Sequence, residues 1–378
     1  MQQVYRAGVF IFSLVAFLST AFSAQASDQV RQRIDRLENE LTRLKSSVAQ
    51  EKKEDRKWIS NILDRVVVSG LVEVEGVYTS DYEDEDESDF ELATAELGID
   101  AQIHDFVSSH VLFLWEEGEG EDICVDEAFI TIGNTEKFPA FMTLGRQYVP
   151  FGVFETSMVS DPLTLEIAET QETSILFGFE YSGVYGGIYL FNGDIDEKSG
   201  DDHLENFGAN IGYSFETGDL GLDFSASYIS SLGDSDGVSD VLFDDIDDYV
   251  DGISLSGVLG FKGFTLIGEY VTALDEFEPG EMAFKQSGAE PEAWNLELGY
   301  KFDVAGHDTT LAVACQGTDE ALAMELPETR YMAAAGMGFF DNLILVSLEY
   351  AYDEDYDESD GGSGEEAHTL TTQIAMEF

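Results

Sequence analysis

Positive charge is scarce in this chain. Of 378 residues, 18 are Lys or Arg and 77 are Asp or Glu, a formal charge of −59. So acidic a surface repels phosphate backbones, which excludes nucleic acid as a partner. Cysteine is nearly missing: two residues exclude a disulfide scaffold and a Cys-rich zinc site. Beyond the N-terminus, no apolar run reaches the roughly 18 residues that a spanning helix needs. What is plentiful argues against disorder, because acidic disordered chains are poor in aromatics and this one has 27 Phe and 16 Tyr.

The N-terminus reads as an export signal. Arg6 is followed by an uncharged apolar stretch, Ala7 to Phe22, and by the small residues of Ala24-Gln25-Ala26. That layout predicts a signal peptide over 1–26. Val30, Ile34, Leu37, Leu41, Leu44 and Val48 then follow at spacings of four and three, an a/d seam flanked by charge. It predicts a periplasmic coiled-coil helix over 27–65. Ile34 and Val48 at a, with Leu37 and Leu44 at d, favour two strands in isolation. Residues 1–65 hold 11 of the 18 basic and 8 of the 77 acidic residues, leaving seven and 69 for the rest. Two segments so different in charge belong in different settings.

From Val66 the hydrophobic period is two. Val66, Val68, Val72, Val74 and Tyr78 share one face of the first segment, and Glu73 and Glu75 the other. Trp294, Leu296, Leu298, Tyr300 and Phe302 alternate with Asn295, Glu297, Gly299 and Lys301. Sixteen such segments follow one another to Phe378. Their connections alternate short and long: Ser182-Gly183 and Lys262-Gly263 are tight, whereas 79–89, 148–172, 231–250 and 353–366 are long. The long ones carry acidic runs such as DYEDEDESD, read here as solvated loops. Long loops gathered on one rim and tight turns on the other mark a transmembrane barrel.

The apolar face repeats on every segment, with aromatics near the ends: Tyr78, Trp115, Phe191, Phe215, Tyr228 and Tyr270 among them. These suit interfacial girdles facing lipid and lipopolysaccharide. The other face has Gly, Ser, Asn and Glu, which suits a wet lumen. Closure removes sheet edges, which lipid cannot satisfy. The expected fold is all-β: a 16-stranded antiparallel transmembrane barrel over 66–378, preceded by the short coiled-coil helix. A last strand ending in Phe378 fits the insertion signal read by the barrel-assembly machinery. The expected setting is the outer membrane of a Gram-negative bacterium.

One stretch carries a family likeness. Gly145-Arg146-Gln147-Tyr148-Val149-Pro150-Phe151-Gly152 resembles the GRQ-x-x-PFG segment of porins related to the phosphate-selective O/P type. The whole layout of signal, coil, strands and terminal Phe is similar to siderophore porins of the legiobactin-uptake type. The resemblance implies a homotrimer and ferric-siderophore uptake. It also implies that Arg146 points into the lumen and that 148–172, entered through Tyr148, Pro150, Phe151 and Gly152, is a constricting loop. The chain departs from that family in having only seven Lys or Arg after residue 65, too few for a basic ladder that selects anions.

Strand parity puts Glu73, Glu75, Glu96, Asp100, Glu127, Glu180, Glu269 and Glu297 on the lumen face, with Arg146, Lys301 and Arg330 as its cations. Glu349 shares that face. Arg146 opposite Glu127 would make an eyelet. Rings of carboxylates favour cations. The reading is therefore passive diffusion of small solutes or ions with cation preference. The alternative is a surface-binding barrel whose acidic loops hold divalent cations or a partner. No enzyme is expected: the five His lie on separate segments, no catalytic motif appears, and neither a cofactor nor a metal site is indicated.

Overall fold

The computed structural model describes residues 65–83, 85–117, 122–198, 206–243 and 245–378. The expected signal peptide and coiled coil lie outside the described residues. Val66–Phe378 forms one compact unit.

Period-two segments have become strands. β1 (Val66–Ser80), β2 (Asp86–His104), β3 (Val107–Trp115), β4 (Cys124–Asn134) and β5 (Phe138–Tyr148) begin the ring. β6 (Gln171–Tyr181) and β7 (Val184–Phe191) follow. A short parallel ladder outside the ring joins β8 (Asp196–Glu197) to β11 (Asp245–Ile246). β9 (Asn206–Thr217), β10 (Leu220–Ile229), β12 (Gly252–Phe261) and β13 (Phe264–Ala273) continue the ring. β14 (Ala283–Phe284) and β15 (Ser287–Gly288) form a small hairpin in a long loop. β16 (Glu292–Val304), β17 (His307–Asp319), β18 (Thr329–Phe339), β19 (Ile344–Glu354) and β20 (Glu366–Glu377) complete it.

The sixteen long strands form a closed antiparallel barrel, as the alternation predicts. β1 pairs with β20 over Leu71–Ser80, and Gly70 and Phe378 add two reciprocal bonds of 3.0 and 3.1 Å. Closure leaves no open edge for lipid to meet.

The tight turns have their own chemistry. Ser182-Gly183, Lys262-Gly263 and Ala305-Gly306 all take positive φ at both positions. Such turns match the twist of the strands they join.

The outer face is apolar and exposed. Ile188, Ile211, Leu255, Leu296, Val313 and Ile374 are each about half exposed or more. The alternate positions carry the inner face: Ser225 opposite Ser256, Glu269 opposite Asn295, Glu73 opposite Ala375. Phe191 departs from the girdle reading. It is fully buried, in register with Ser174 and Asn206 on the inner face.

The long loops also depart from their expected solvated state. Apolar residues sown among their acids pack together into a core at the long-loop rim. Phe277, Met282, Phe284 and Ala289 come from one loop, Leu232, Val238 and Val250 from another, and Tyr356 from a third. They meet Phe151, Leu163 and Ile167 of the loop between β5 and β6. Burying this apolar surface drives the loops together, and it takes Asp234 of the β10–β12 loop in with it. Two basic residues add ties between loops: Lys198 reaches Asp247 at 3.1 Å and Glu281 at 3.2 Å, and Lys285 reaches Asp360 at 2.9 Å.

Candidate functional site

The site is built by the loop that follows β5. Pro150 has no N–H for the ladder, and the chain leaves the wall there. It returns at Thr170, whose carbonyl accepts from the Val149 N–H at 2.9 Å. Between them lies helix α1 (Leu163–Ala168), entered through Pro162 with φ −71°. Proline is preorganised for a helix start. A second short helix, α2 (Asp236–Ser239), packs on α1 from the β10–β12 loop.

Inner-wall side chains hold this loop inside the barrel. Glu297 of β16 accepts from Thr156 Oγ1 at 2.7 Å and from the Ser157 N–H at 2.8 Å. Glu349 of β19 accepts from the Val159 N–H at 2.5 Å and from Ser160 Oγ at 2.6 Å. Glu269 of β13 accepts from Thr164 Oγ1 at 2.6 Å, and Gln316 of β17 accepts from the Leu163 N–H at 2.9 Å. Hydrogen bonds to charged acceptors are worth about 1.5–3 kcal/mol each and neutral ones about 0.5–1.5, so bonds from four wall residues seat the loop firmly.

This changes the role of part of the expected lumen set. Glu269, Glu297 and Glu349 stand on the inner face, but the loop lies on top of them. They are 6%, 0% and 1% exposed, and they bind protein where open water was expected. Parity alone cannot tell a wall residue facing water from one facing a loop more than 100 residues away.

The rest of the set stays clear of the loop's anchors. Glu73, Glu75, Glu96 and Glu127 are half-buried, and Asp100 and Glu180 are exposed. Asp161, at the far reach of the loop, acts electrostatically on Glu73 and Glu75, and Asp126 and Glu127 act on Glu96. His110 joins this wall. Its Nδ1 lies 2.8 Å from Asp100 and its Nε2 3.6 Å from Glu127, with the ring stacked on Phe129. The expected Arg146–Glu127 eyelet is replaced by this His110 contact and by a different partner for Arg146.

Arg146 donates to Gln171 Oε1, from Nε at 2.7 Å and also from Nη2. Gln171 in turn donates to Asp126 at 2.6 Å, which also accepts from the Tyr148 hydroxyl at 3.2 Å. One residue before Arg146, inside β5, Gly145 has a φ of 140°, which is costly for any side chain. A Cβ there would sit 2.2 Å from the Ala128 carbonyl oxygen. Of the other motif residues, Phe151 is buried in the loop core, and the Gly152 N–H points to Ser227 Oγ at 3.5 Å.

Above this group opens a cavity of about 420 Å³. Its lining includes Tyr148, Asp122 and Asp126 on the wall side and Glu166, Glu169, Asp236 and Asp240 on the loop side. Burial pushes the Glu169 carboxyl up to about 7, helped by repulsion from Asp236, Asp161, Asp126 and Glu166. Asp236 is also raised, chiefly by burial, although Arg146 and the Gln171 N–H pull it back.

The remaining cations are engaged elsewhere. Arg330 makes a two-point bond to Asp353, 2.8 and 2.9 Å, and Lys301 meets Asp308 at 2.9 Å near the tight turns. Lys137 pairs with Asp105 at 2.8 Å, and Lys262 sits over the Phe261 ring. Among the described residues, no group of three or more metal-ligating side chains is arranged to hold an ion. The sequence did not signal the Gln171–Asp126–Tyr148 cluster or the three-glutamate clamp, since both depend on where the loop lands.

No protein-family model matches the chain. It is similar to a Coxiella burnetii protein named UPF0422 protein, 29% identical over 304 residues, spanning 78% of this chain and 65% of that one. A UPF0422 protein of Legionella pneumophila strain Lens is 27% identical over 335 residues, spanning 77% and 62%. The chain thus spans less than two thirds of the length of these curated relatives. Among solved structures, the anion-selective porin from Comamonas acidovorans aligns with TM-score 0.58 at 13% identity, covering 83% of this chain and 99% of that one. Pseudomonas putida OprB aligns with TM-score 0.59 at 11% identity, covering 84% and 96%. At these identities the likeness is one of fold: a 16-stranded porin barrel.

Proposed function

We propose that the protein is an outer-membrane channel of a Gram-negative bacterium, passing small solutes by diffusion and preferring cations. The observation that carries this reading is the acid on both sides of the way through. Glu73, Glu75, Glu96, Asp100, Asp126 and Glu127 stand on the wall, and Asp161, Glu166, Glu169 and Asp236 on the loops across from it. Arg146 borders the mouth and keeps its charge, since its partner Gln171 is neutral, but the carboxylates lining the cavity far outnumber it. A low-dielectric passage walled by one sign of charge concentrates counter-ions and excludes co-ions. Glu180 adds to the acid on the inner face, in register with Tyr185.

Purified protein in a planar bilayer under a salt gradient tests this. The reversal potential should take the sign set by the cation gradient. A potential of the anion sign removes the selectivity, and the lack of any conductance steps removes the channel.

Ferric-siderophore uptake is the solute that the GRQYVPFG likeness suggests. A deletion strain with unchanged iron acquisition would remove that label and leave the channel. A homotrimer delivered by the barrel-assembly machinery, with residues 1–26 cleaved and 27–65 forming a periplasmic coil, completes the proposal. Cross-linking of the assembled protein and N-terminal sequencing address those parts.

A further inference from the structure

The three carboxylates that clamp the loop are not equivalent. Glu297 accepts one donor on each oxygen. Glu349 also uses both oxygens, for Val159 and Ser160. Glu269 takes both of its donors on Oε2: Thr164 Oγ1 at 2.6 Å and Asn295 Nδ2 at 3.2 Å. Its Oε1 is left without a partner, and so is Oδ1 of Asn295. The two residues are 6% and 2% exposed and stand opposite each other on β13 and β16.

Two orphaned acceptors on one bonded pair are a specific chemical deficit. A primary amide that gives its NH₂ to one carboxyl oxygen turns its carbonyl toward the other. A buried oxygen that faces no donor costs free energy. Turning the Asn295 amide over serves Oε1 but sets Oδ1 against Oε2, so Oδ1 is still left unmatched. One hydrogen does: with a proton on Oε1, the acid donates to Oδ1 while Oε2 still accepts from Nδ2. The charged groups that act on Glu269 from the elements packed on it are Glu297 of β16 and Glu155 of the loop, both acidic. A proton relieves that crowding as well.

We propose that Glu269 and Asn295 hold a proton between Oε1 and Oδ1, forming a neutral acid–amide pair that latches helix α1 to the barrel wall through Thr164. When the proton leaves, Thr164 still donates to Oε2, but the bond from Oε1 to Oδ1 is lost and Glu269, Glu297 and Glu155 repel one another. The wall under the loop then carries in alkali a charge that it lacks in neutral and acidic medium, which adds to the cation preference of the passage. That consequence for transport rests on the channel reading; the proton itself does not.

Infrared spectra of the folded protein in detergent at pH 7 test the latch. The wild type should carry a carboxylic-acid carbonyl band that is lost in Glu269→Gln and that disappears from the wild type in alkali. A wild-type-minus-variant difference holding only carboxylate bands overturns the proposal. So do carboxylate bands that shift when sodium is exchanged for potassium, which would place an alkali cation there. Should Glu269→Gln not fold, Asn295→Leu replaces it. The acid band must then move, having lost its acceptor, and an unmoved band overturns the assignment. The spectra need no current, so a barrel that conducts nothing still reports on the proton, and a conducting barrel without the band loses only the latch.

Discussion

Ser160 gives Glu349 both its backbone N–H and its hydroxyl, the latter at 2.6 Å, so one residue of the loop is locked to one carboxylate of the opposite wall. Ser160→Ala removes the hydroxyl bond and leaves the N–H. A hydrogen bond to a charged acceptor is worth about 1.5–3 kcal/mol. The variant should unfold at lower temperature in detergent and give noisier single-channel currents as the loop moves. A wild-type melting curve with a quiet trace would mean that the Ser160 hydroxyl does not hold the loop.

Charge on the open wall should set selectivity. Glu73→Gln, Glu75→Gln and Glu96→Gln together remove three carboxylates that lie clear of the loop's anchors. The cation-to-anion permeability ratio should fall severalfold toward unity, with the barrel intact. An unchanged reversal potential in the triple variant would place the selective step elsewhere.

The mouth should titrate near neutrality. Glu169 is pushed up to about 7 and Asp236 is raised above the usual carboxylate range. Lowering the pH from 8 to 5 protonates Glu169 and takes negative charge from the passage, so cation preference should drop over that interval. The sign for stability follows from the same shift. A carboxyl held above its unfolded value binds its proton more tightly when folded. Its contribution to stability is therefore full below the unfolded value and is lost as the pH rises through about 7. Reversal potentials at several pH values would check this, and Glu169→Gln should flatten the profile.

Gly145 tolerates no side chain. With φ at 140° and the Ala128 carbonyl oxygen 2.2 Å from where a Cβ would be, Gly145→Ala must displace β4 or distort β5 beside the bonds of Arg146 to Gln171 and of Tyr148 to Asp126. Backbone strain of this kind costs about 1–3 kcal/mol. The folded, heat-modifiable band on a gel should weaken, and the residual channel should have altered conductance. Wild-type yield and conductance would contradict the strain argument.

The barrel could be read from residues because its rule is local. Leu296 and Leu298 face outward and Asn295 and Glu297 inward for no reason beyond alternation, and four of the tight turns show a Gly, at Gly183, Gly218, Gly263 and Gly306. The lumen could not be read in the same way. Glu73 and Glu297 have the same parity and the same chemistry, yet one stands clear of the loop's anchors and the other is sealed under Thr156 and Ser157. Phe191 likewise differs from Phe177 only in the face that its strand turns inward. The core built from Phe277, Met282, Phe284 and Tyr356 was masked by the acids around it, since an apolar residue in a charged run carries no period to follow.

Sixteen strands fix the circumference of this barrel, but the bore is another matter. At the long-loop rim the barrel is filled by interlocked Phe, Leu and Met, a core to which β1 to β4 contribute no residue. Two proteins with the same staves can therefore sieve quite differently. If the channel reading holds, tuning what passes through this one is a task for whoever trims or pads the stuffing, not for whoever adds a stave.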